Sequence, residues 1–206
     1  MGSLIEHIAF LSQEECDHLT HIILRDEQEI LNISNDQNNG YTGLTKQFNV
    51  YNWLNHEEVA SLNIPQRIFN LPQFAHREIL HIQCWANIIR QGEDLPMHFH
   101  MNQTDFDALP EEEKNDEWYL SNLPSPMMFA VCNLHISSKA PSYTYYASEG
   151  NIQNKPGALH IIPPWEDHKV PTYLYTQPRI SMALDIHYNI PNNANAVFKS
   201  CLRNTD

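Results

Sequence analysis

The stretch Glu78-Ile79-Leu80-His81-Ile82-Gln83-Cys84-Trp85-Ala86-Asn87-Ile88-Ile89-Arg90 decides how the rest of the chain is read. It predicts one long strand. Side chains alternate across a strand, so His81, Gln83, Trp85 and Asn87 share a face. Upstream of it the pattern is helical. Ser12-Gln13-Glu14-Glu15 has the spacing of a capping box, and Leu19, Ile22, Ile23 and Ile30 recur at helical intervals, which predicts a helix over 13–31. A loop is expected over 32–43, rich in Asn, Asp and Gly, and one or two short helices over 56–75 around Pro65 and Pro72.

Downstream, strands are predicted at Met97–His100, Met127–Ser137, Tyr143–Ala147, Ala158–Ile162 and Arg179–Tyr188, with a weak helix near 194–203. A run of strands after a helical layer implies a mainly β, α+β architecture of the β-sandwich or jelly-roll kind. The expected organisation is one domain over 1–206, with a helical region (1–77) and a β core (78–190). Residues 101–126 hold seven acids, one lysine and three prolines, and read as an insertion or lid between two core strands. Such a lid would favour a cationic substrate; a solvated surface excursion gives the same composition.

The composition narrows the classes of function. Twelve Lys and Arg against 25 Asp and Glu give a formal charge of −13, which disfavours a nucleic-acid backbone as partner. The four cysteines (Cys16, Cys84, Cys132, Cys201) are scattered without a CxxC pair, arguing against a zinc ribbon or disulfide framework. They fit a reducing compartment. No apolar run is long enough for a membrane span and no secretory leader pattern opens the sequence, so a cytoplasmic protein without a membrane partner is expected.

Chemistry concentrates in three places. His98-Phe99-His100 puts two imidazoles at i and i+2, able to converge on one metal ion if the segment is extended. His168 follows the rigid turn built on Pro163-Pro164 and supplies a third imidazole. Three protein ligands with open positions suit a catalytic transition metal. In a chain with twelve histidines, three unconnected surface histidines are the plain alternative. Eleven residues past His168, Arg179 and Ser181 again share a strand face. A guanidinium with a neighbouring hydroxyl binds a carboxylate in a two-pronged geometry. An ordinary ion pair with Asp185 or Glu149 is the competing explanation.

The ordered set Trp85-Ala86-Asn87-Ile88-Ile89-Arg90-Gln91-Gly92, His98-Phe99-His100, Pro156-Gly157-Ala158-Leu159, His168-Lys169-Val170-Pro171 and Arg179-Ile180-Ser181 resembles the iron(II)/2-oxoglutarate-dependent oxygenases. It is most similar to 2-oxoglutarate oxygenases assigned in phages and marine bacteria. The resemblance spans residues 85–185. It implies a double-stranded β-helix (a cupin-like jelly roll), iron(II) on His98 and His168, and 2-oxoglutarate as co-substrate with its far carboxylate on Arg179 assisted by Ser181. Asn87 would hydrogen-bond the co-substrate, and Trp85 would wall the pocket, although core packing explains both equally well. The implied reaction hydroxylates a C–H bond of a small molecule or peptide, with 2-oxoglutarate converted to succinate and carbon dioxide. No catalytic side chain beyond the metal ligands is required.

One departure stands out. Most of that superfamily has Asp or Glu where this chain has His100. Either His100 is the third ligand, or water, Asp105 or Asp107 takes the place. Two further readings stay open: a cupin-type three-histidine dioxygenase that does not use 2-oxoglutarate, and a non-catalytic jelly-roll binding module. Trp165, near His168, would stack on a flat substrate or cover the core.

Overall fold

The computed structural model describes residues 5–33, 43–100, 128–137, 141–187 and 196–203. Two antiparallel sheets carry the architecture, and helices cover one of them. In chain order the elements are β1 (Glu6–Ala9), α1 (Gln13–Leu31), α2 (Glu57–Ala60), α3 (Ile64–Phe69), β2 (Ile79–Ile89), β3 (Leu95–His98), β4 (Met128–Ser137), β5 (Tyr143–Tyr146), β6 (Gly150–Gln153), β7 (Ala158–Ile162), β8 (His168–Val170), β9 (Arg179–His187) and β10 (Lys199–Leu202). Short 3₁₀ turns lie at Gly43–Gln47, Trp53–Asn55 and Pro72–Phe74. The larger sheet runs β1-β7-β4-β9-β2-β10 and the smaller β3-β8-β5-β6.

The helical layer forms for the reasons its sequence offers. Ser12 Oγ accepts the Glu15 amide at 3.2 Å while Glu15 Oε2 accepts the Ser12 amide at 2.7 Å, closing the capping box at the start of α1. The buried stripe Cys16, Leu19, Ile22, Ile23 and Ile30 then turns toward the large sheet. There Leu19, Ile22, Ile23 and Ile30 join Leu80, Ile82, Cys84 and Ala86 of β2, Leu134 of β4, and Met182 and Leu184 of β9 in one apolar core. This leaves the alternate residues of the same strands on the inner face, toward the small sheet. Both faces of β9 are therefore buried, one apolar and one polar.

Gly157 ties the layers together at the approach to β7. Its carbonyl accepts the amides of Phe10 and Leu11 at 2.8 and 3.0 Å, and its own amide donates to His135 O at 2.8 Å. With φ at +79° it occupies the left-handed region, and a Cβ there would run into the Leu11 carbonyl oxygen.

The helix over 13–31, the short helices around Pro65 and Pro72, and the strands near 79–89, 143–146, 158–162 and 179–187 are as expected. Three features differ. The weak helix near 194–203 is replaced, over its described part, by β10, which pairs with β2 (Lys199 opposite Ile82, Leu202 opposite Ile79). Ladder bonds along the free edge of a long strand outweigh a weak helical preference over so short a segment. The strand expected at Met97–His100 instead ends at His98, where pairing with β8 stops after an irregularity between Leu95 and His98. His100 lies beyond it in a bend, its amide bonded to Pro164 O at 3.0 Å. Strands β1, β6 and β8, each of three or four residues, were not anticipated at all. The 101–126 insertion, with Asp105 and Asp107, and most of the loop expected over 32–43 fall outside the described residues. Among the described residues no helix is long and apolar enough to cross a membrane.

Candidate metal and oxoacid site

A cavity of about 250 Å³ opens between the polar inner face of the large sheet and the small sheet. All six residues singled out from the sequence line it: His98, His100, His168, Arg179, Ser181 and Asn87. Trp85 also lines it, whereas Trp165 is half-buried and does not.

The three histidines arrive from three directions. His98 closes β3 and His168 opens β8, and the two are register partners across that ladder. His100 reaches in from the bend past β3. One ligand atom from each ring lies within 4.8 Å of the other two. The Nδ1 edges identify the tautomers. His98 Nδ1 donates to Pro96 O at 2.8 Å and His168 Nδ1 donates to Glu166 O at 2.9 Å. A carbonyl oxygen only accepts, so in each neutral ring the proton sits on Nδ1 and the lone pair on Nε2. His100 Nδ1–H donates to the Asp185 carboxylate at 2.6 Å, which leaves Nε2 as the ring atom open to a metal. Metal-binding histidines characteristically engage their second ring nitrogen in this way. Burial and the neighbouring His100 imidazole push the His98 pKa down to about 4, and burial with His100 and His98 holds His168 well below the usual histidine range. Both rings are thus neutral, the form a metal requires.

Trp85 stacks on His100, with ring centroids 5.5 Å apart and planes 24° from parallel, and Phe48 packs at 5.8 Å from Trp85. This aromatic wall covers one face of the His100 ring. Its origin is the alternation of β2, which places Trp85 opposite Ala183 and Asn87 opposite Ser181 on the inner face.

The other half of the cavity is built around Arg179. Only 3% of its surface is exposed, and burial lowers its pKa to about 10, which leaves it cationic at neutral pH. Nη1 donates to Ser181 Oγ and Nη2 to Thr144 Oγ1, both at 3.2 Å. The Asn154 amide, turned to satisfy its neighbours, offers its oxygen to Nε and Nη2 at 3.2 Å each and its nitrogen to His135 Nε2 at 3.2 Å. Every one of these partners is neutral. Neither acid proposed from the sequence pairs with Arg179: Asp185 is bonded to His100, and Glu149 accepts the Ile5 amide at 3.1 Å. Among the described residues no carboxylate forms an ion pair with it. A buried guanidinium held by neutral oxygens alone is suited to an anion from outside. Asn87 sits nearby, its Oδ1 accepting from Thr45 Oγ1 at 2.8 Å, which leaves the amide N–H groups as what it can offer a ligand.

Sequence reading missed Thr45, Thr144 and Asn154, and weighed Asp185 as an ion-pair partner of Arg179, not as the acceptor of His100. Only Asp185 carried a signal: it follows Arg179 and Ser181 at even spacing on β9 and so shares their face. The others come from short elements whose placement depends on the whole fold.

No protein-family model matches the chain, and no curated protein sequence does. Solved structures do resemble it. A prolyl-4-hydroxylase from Pseudomonas putida aligns over 90% of this chain and 93% of its own, at 12% identity and a TM-score of 0.52. CytC3, solved with Fe(II) and alpha-ketoglutarate, aligns over 87% of this chain and 72% of its own, at 16% identity and a TM-score of 0.54. A prolyl hydroxylase from Trichoplax adhaerens, in complex with a hypoxia inducible factor peptide fragment, aligns over 89% and 83%, at 11% identity and a TM-score of 0.52. The chain has the double-stranded β-helix fold. At such identities the likeness establishes the fold and leaves the chemistry to the residues.

Proposed function

We propose that this protein is an iron(II)- and 2-oxoglutarate-dependent oxygenase that hydroxylates a C–H bond of a small molecule or peptide. The observation that carries the reading is the conjunction, in one cavity, of three imidazoles converging through Nε2 with a buried Arg179 that has no anionic partner among the described residues. One half fits a divalent metal and the other fits the far carboxylate of a dicarboxylic acid. The fold neighbours, two of them hydroxylases and one solved with Fe(II) and alpha-ketoglutarate, support the same reading.

In this reading His98, His100 and His168 hold the iron, which supplies oxygen activation coupled to oxidative decarboxylation of 2-oxoglutarate to succinate and carbon dioxide. The protein contributes position. Arg179, Ser181 and Thr144 fix the far carboxylate, and Asn87 donates to the co-substrate. Trp85, backed by Phe48, covers one face of the His100 ring. No side chain needs to act as nucleophile or general base.

A cupin-type three-histidine dioxygenase is the second reading, favoured by the all-imidazole ligand set. It gives Arg179 no task, although Arg179 lines the cavity, and for that reason it ranks lower. The deciding experiment is anaerobic titration of the Fe(II)-loaded protein with 2-oxoglutarate, followed by assay of succinate release in air. Saturable binding is expected. Absence of 2-oxoglutarate binding by the metal-loaded protein would overturn the proposal.

A further inference from the structure

Two of the three histidines are held alike. His98 and His168 each donate Nδ1–H to the carbonyl of the residue two positions earlier, Pro96 and Glu166. His100 breaks the pattern: its acceptor is Asp185, 85 positions away on β9, at 2.6 Å. Both side chains are largely sequestered, at 6% and 9% exposure. Among the described residues Asp185 forms no ion pair with any Lys or Arg. Its carboxylate is also excluded from the ligand group itself, which consists of the three histidines.

Resting on the function proposed above, we infer that Asp185 is the outer carboxylate of the metal centre, a positioning residue that acts through His100. Its first effect is orientation. Accepting the Nδ1–H locks His100 in the tautomer whose Nε2 lone pair faces the other two rings. The ring is held from its edge by Asp185 and from its face by Trp85. Its second effect is charge. Three neutral imidazoles leave a divalent ion with its full +2, whereas two imidazoles and a carboxylate leave +1. A carboxylate one hydrogen bond behind the imidazole returns that negative charge to the site and strengthens the imidazole as a donor. The acid has thus moved from the ligand position to the position behind it. The long-range contact needs β9, and the same strand carries Arg179 and Ser181, so one element sets both the third ligand and the dicarboxylate subsite.

The test compares wild type, Asp185→Ala, Asp185→Asn and His100→Ala, with Ni(II) binding by calorimetry and ring-nitrogen NMR of the metal-free protein. Wild-type His100 is expected as the Nδ1–H tautomer. D185A should lose that preference and bind Ni(II) 10- to 100-fold more weakly, the range typical of outer partners. D185N keeps an accepting oxygen without the charge, so it should hold the tautomer and fall between the two in affinity. It also keeps the side-chain shape should D185A fold poorly. Ni(II) affinity in D185N equal to wild type, or in H100A equal to wild type, would overturn the inference and leave the oxygenase reading standing. A wild type that binds Ni(II) with the expected Asp185 dependence but never binds 2-oxoglutarate would defeat the oxygenase reading alone. A wild type that binds no divalent metal defeats both.

Discussion

His98 and His168 face each other across the β3–β8 ladder, with ring centroids 4.4 Å apart. A cross-strand pair is the most rigid way to aim two imidazoles at one point, because backbone hydrogen bonds set their spacing. His100, held from a bend, depends instead on side-chain contacts. Replacing His98 or His168 by Ala should therefore reduce divalent-metal affinity by more than the roughly 100-fold expected at most for an outer partner. Calorimetric titration with Ni(II) checks this, and a loss of only a few-fold in H168A would contradict the ligand assignment.

Arg179 predicts opposite effects on folding and on ligand binding. A buried guanidinium held only by neutral oxygens lowers the stability of the empty protein, so Arg179→Met should leave the thermal midpoint unchanged or raise it. The same change removes the carboxylate's only charged partner in the described cavity and should weaken 2-oxoglutarate binding by about 2–5 kcal/mol, on the order of 30- to 4000-fold. Adding 2-oxoglutarate to the metal-loaded protein should raise the midpoint of wild type and not of R179M. Thermal scans of both proteins with and without the ligand give the answer. A strongly destabilised R179M would show that Arg179 is structural.

What could be read from the sequence follows from how local each signal is. Ser12, Glu15 and the stripe from Cys16 to Ile30 specify α1 within its own length, and its boundaries are as expected. The even spacing of Arg179 and Ser181 placed them together because β9 is regular from end to end. His100 was assigned to a strand because i and i+2 spacing is ambiguous between a strand and a bend. Its convergence with His98 survives for a different reason, the bonds to Pro164 and Asp185. The three- and four-residue strands are invisible to periodicity. β8 exists because its neighbours β3 and β5 pair with it, and nothing in His168-Lys169-Val170 announces it. Thr144 and Asn154 meet Arg179 across 35 and 25 positions of chain, beyond any local pattern.

Gly157 should tolerate no side chain. Alanine there combines a left-handed backbone with a collision against the main-chain oxygen of Leu11, where neither partner is a flexible side-chain tip. The combined strain and overpacking should cost about 3 kcal/mol. For a chain of this size that is a fall of roughly 6–12 °C in thermal midpoint. The lesion lies where Phe10 and Leu11 join β7, so the metal ligands should keep their geometry. G157A is expected to bind Ni(II) normally below its midpoint, and a midpoint within 2 °C of wild type, to take a round threshold of about that size, would refute the close approach.

Part of the acid sensitivity should originate behind Arg179, in addition to that of the ligands His98 and His168. His160 on β7 is fully buried, with Nδ1 at 3.0 Å from Tyr146 Oη and 3.2 Å from His135 Nε2. Burial, then His7 on β1 and Arg179 on β9, push its pKa down to about 3. His135 on β4, buried against Arg179, His160 and His7, is held well below the usual histidine range. Both stay neutral in the folded protein, while in the unfolded chain they take up protons near pH 6.5. Below that pH the unfolded state binds more protons, so stability falls as the pH drops, from about 6.5 until His160 itself titrates near 3. Each group contributes at most about 1.4 kcal/mol per pH unit within that window, and nothing above it. Other buried histidines add to the total, so the diagnostic is a difference. Denaturant unfolding of metal-free wild type and His160→Gln between pH 7.5 and 4.5, a range chosen to bracket the roughly 6.5 midpoint of free histidine, should give parallel stabilities at the upper end and a shallower acid loss in the variant, by about one proton. Equal slopes for the two proteins would mean that His160 is protonated in the fold and that its contact with Tyr146 is made by an imidazolium.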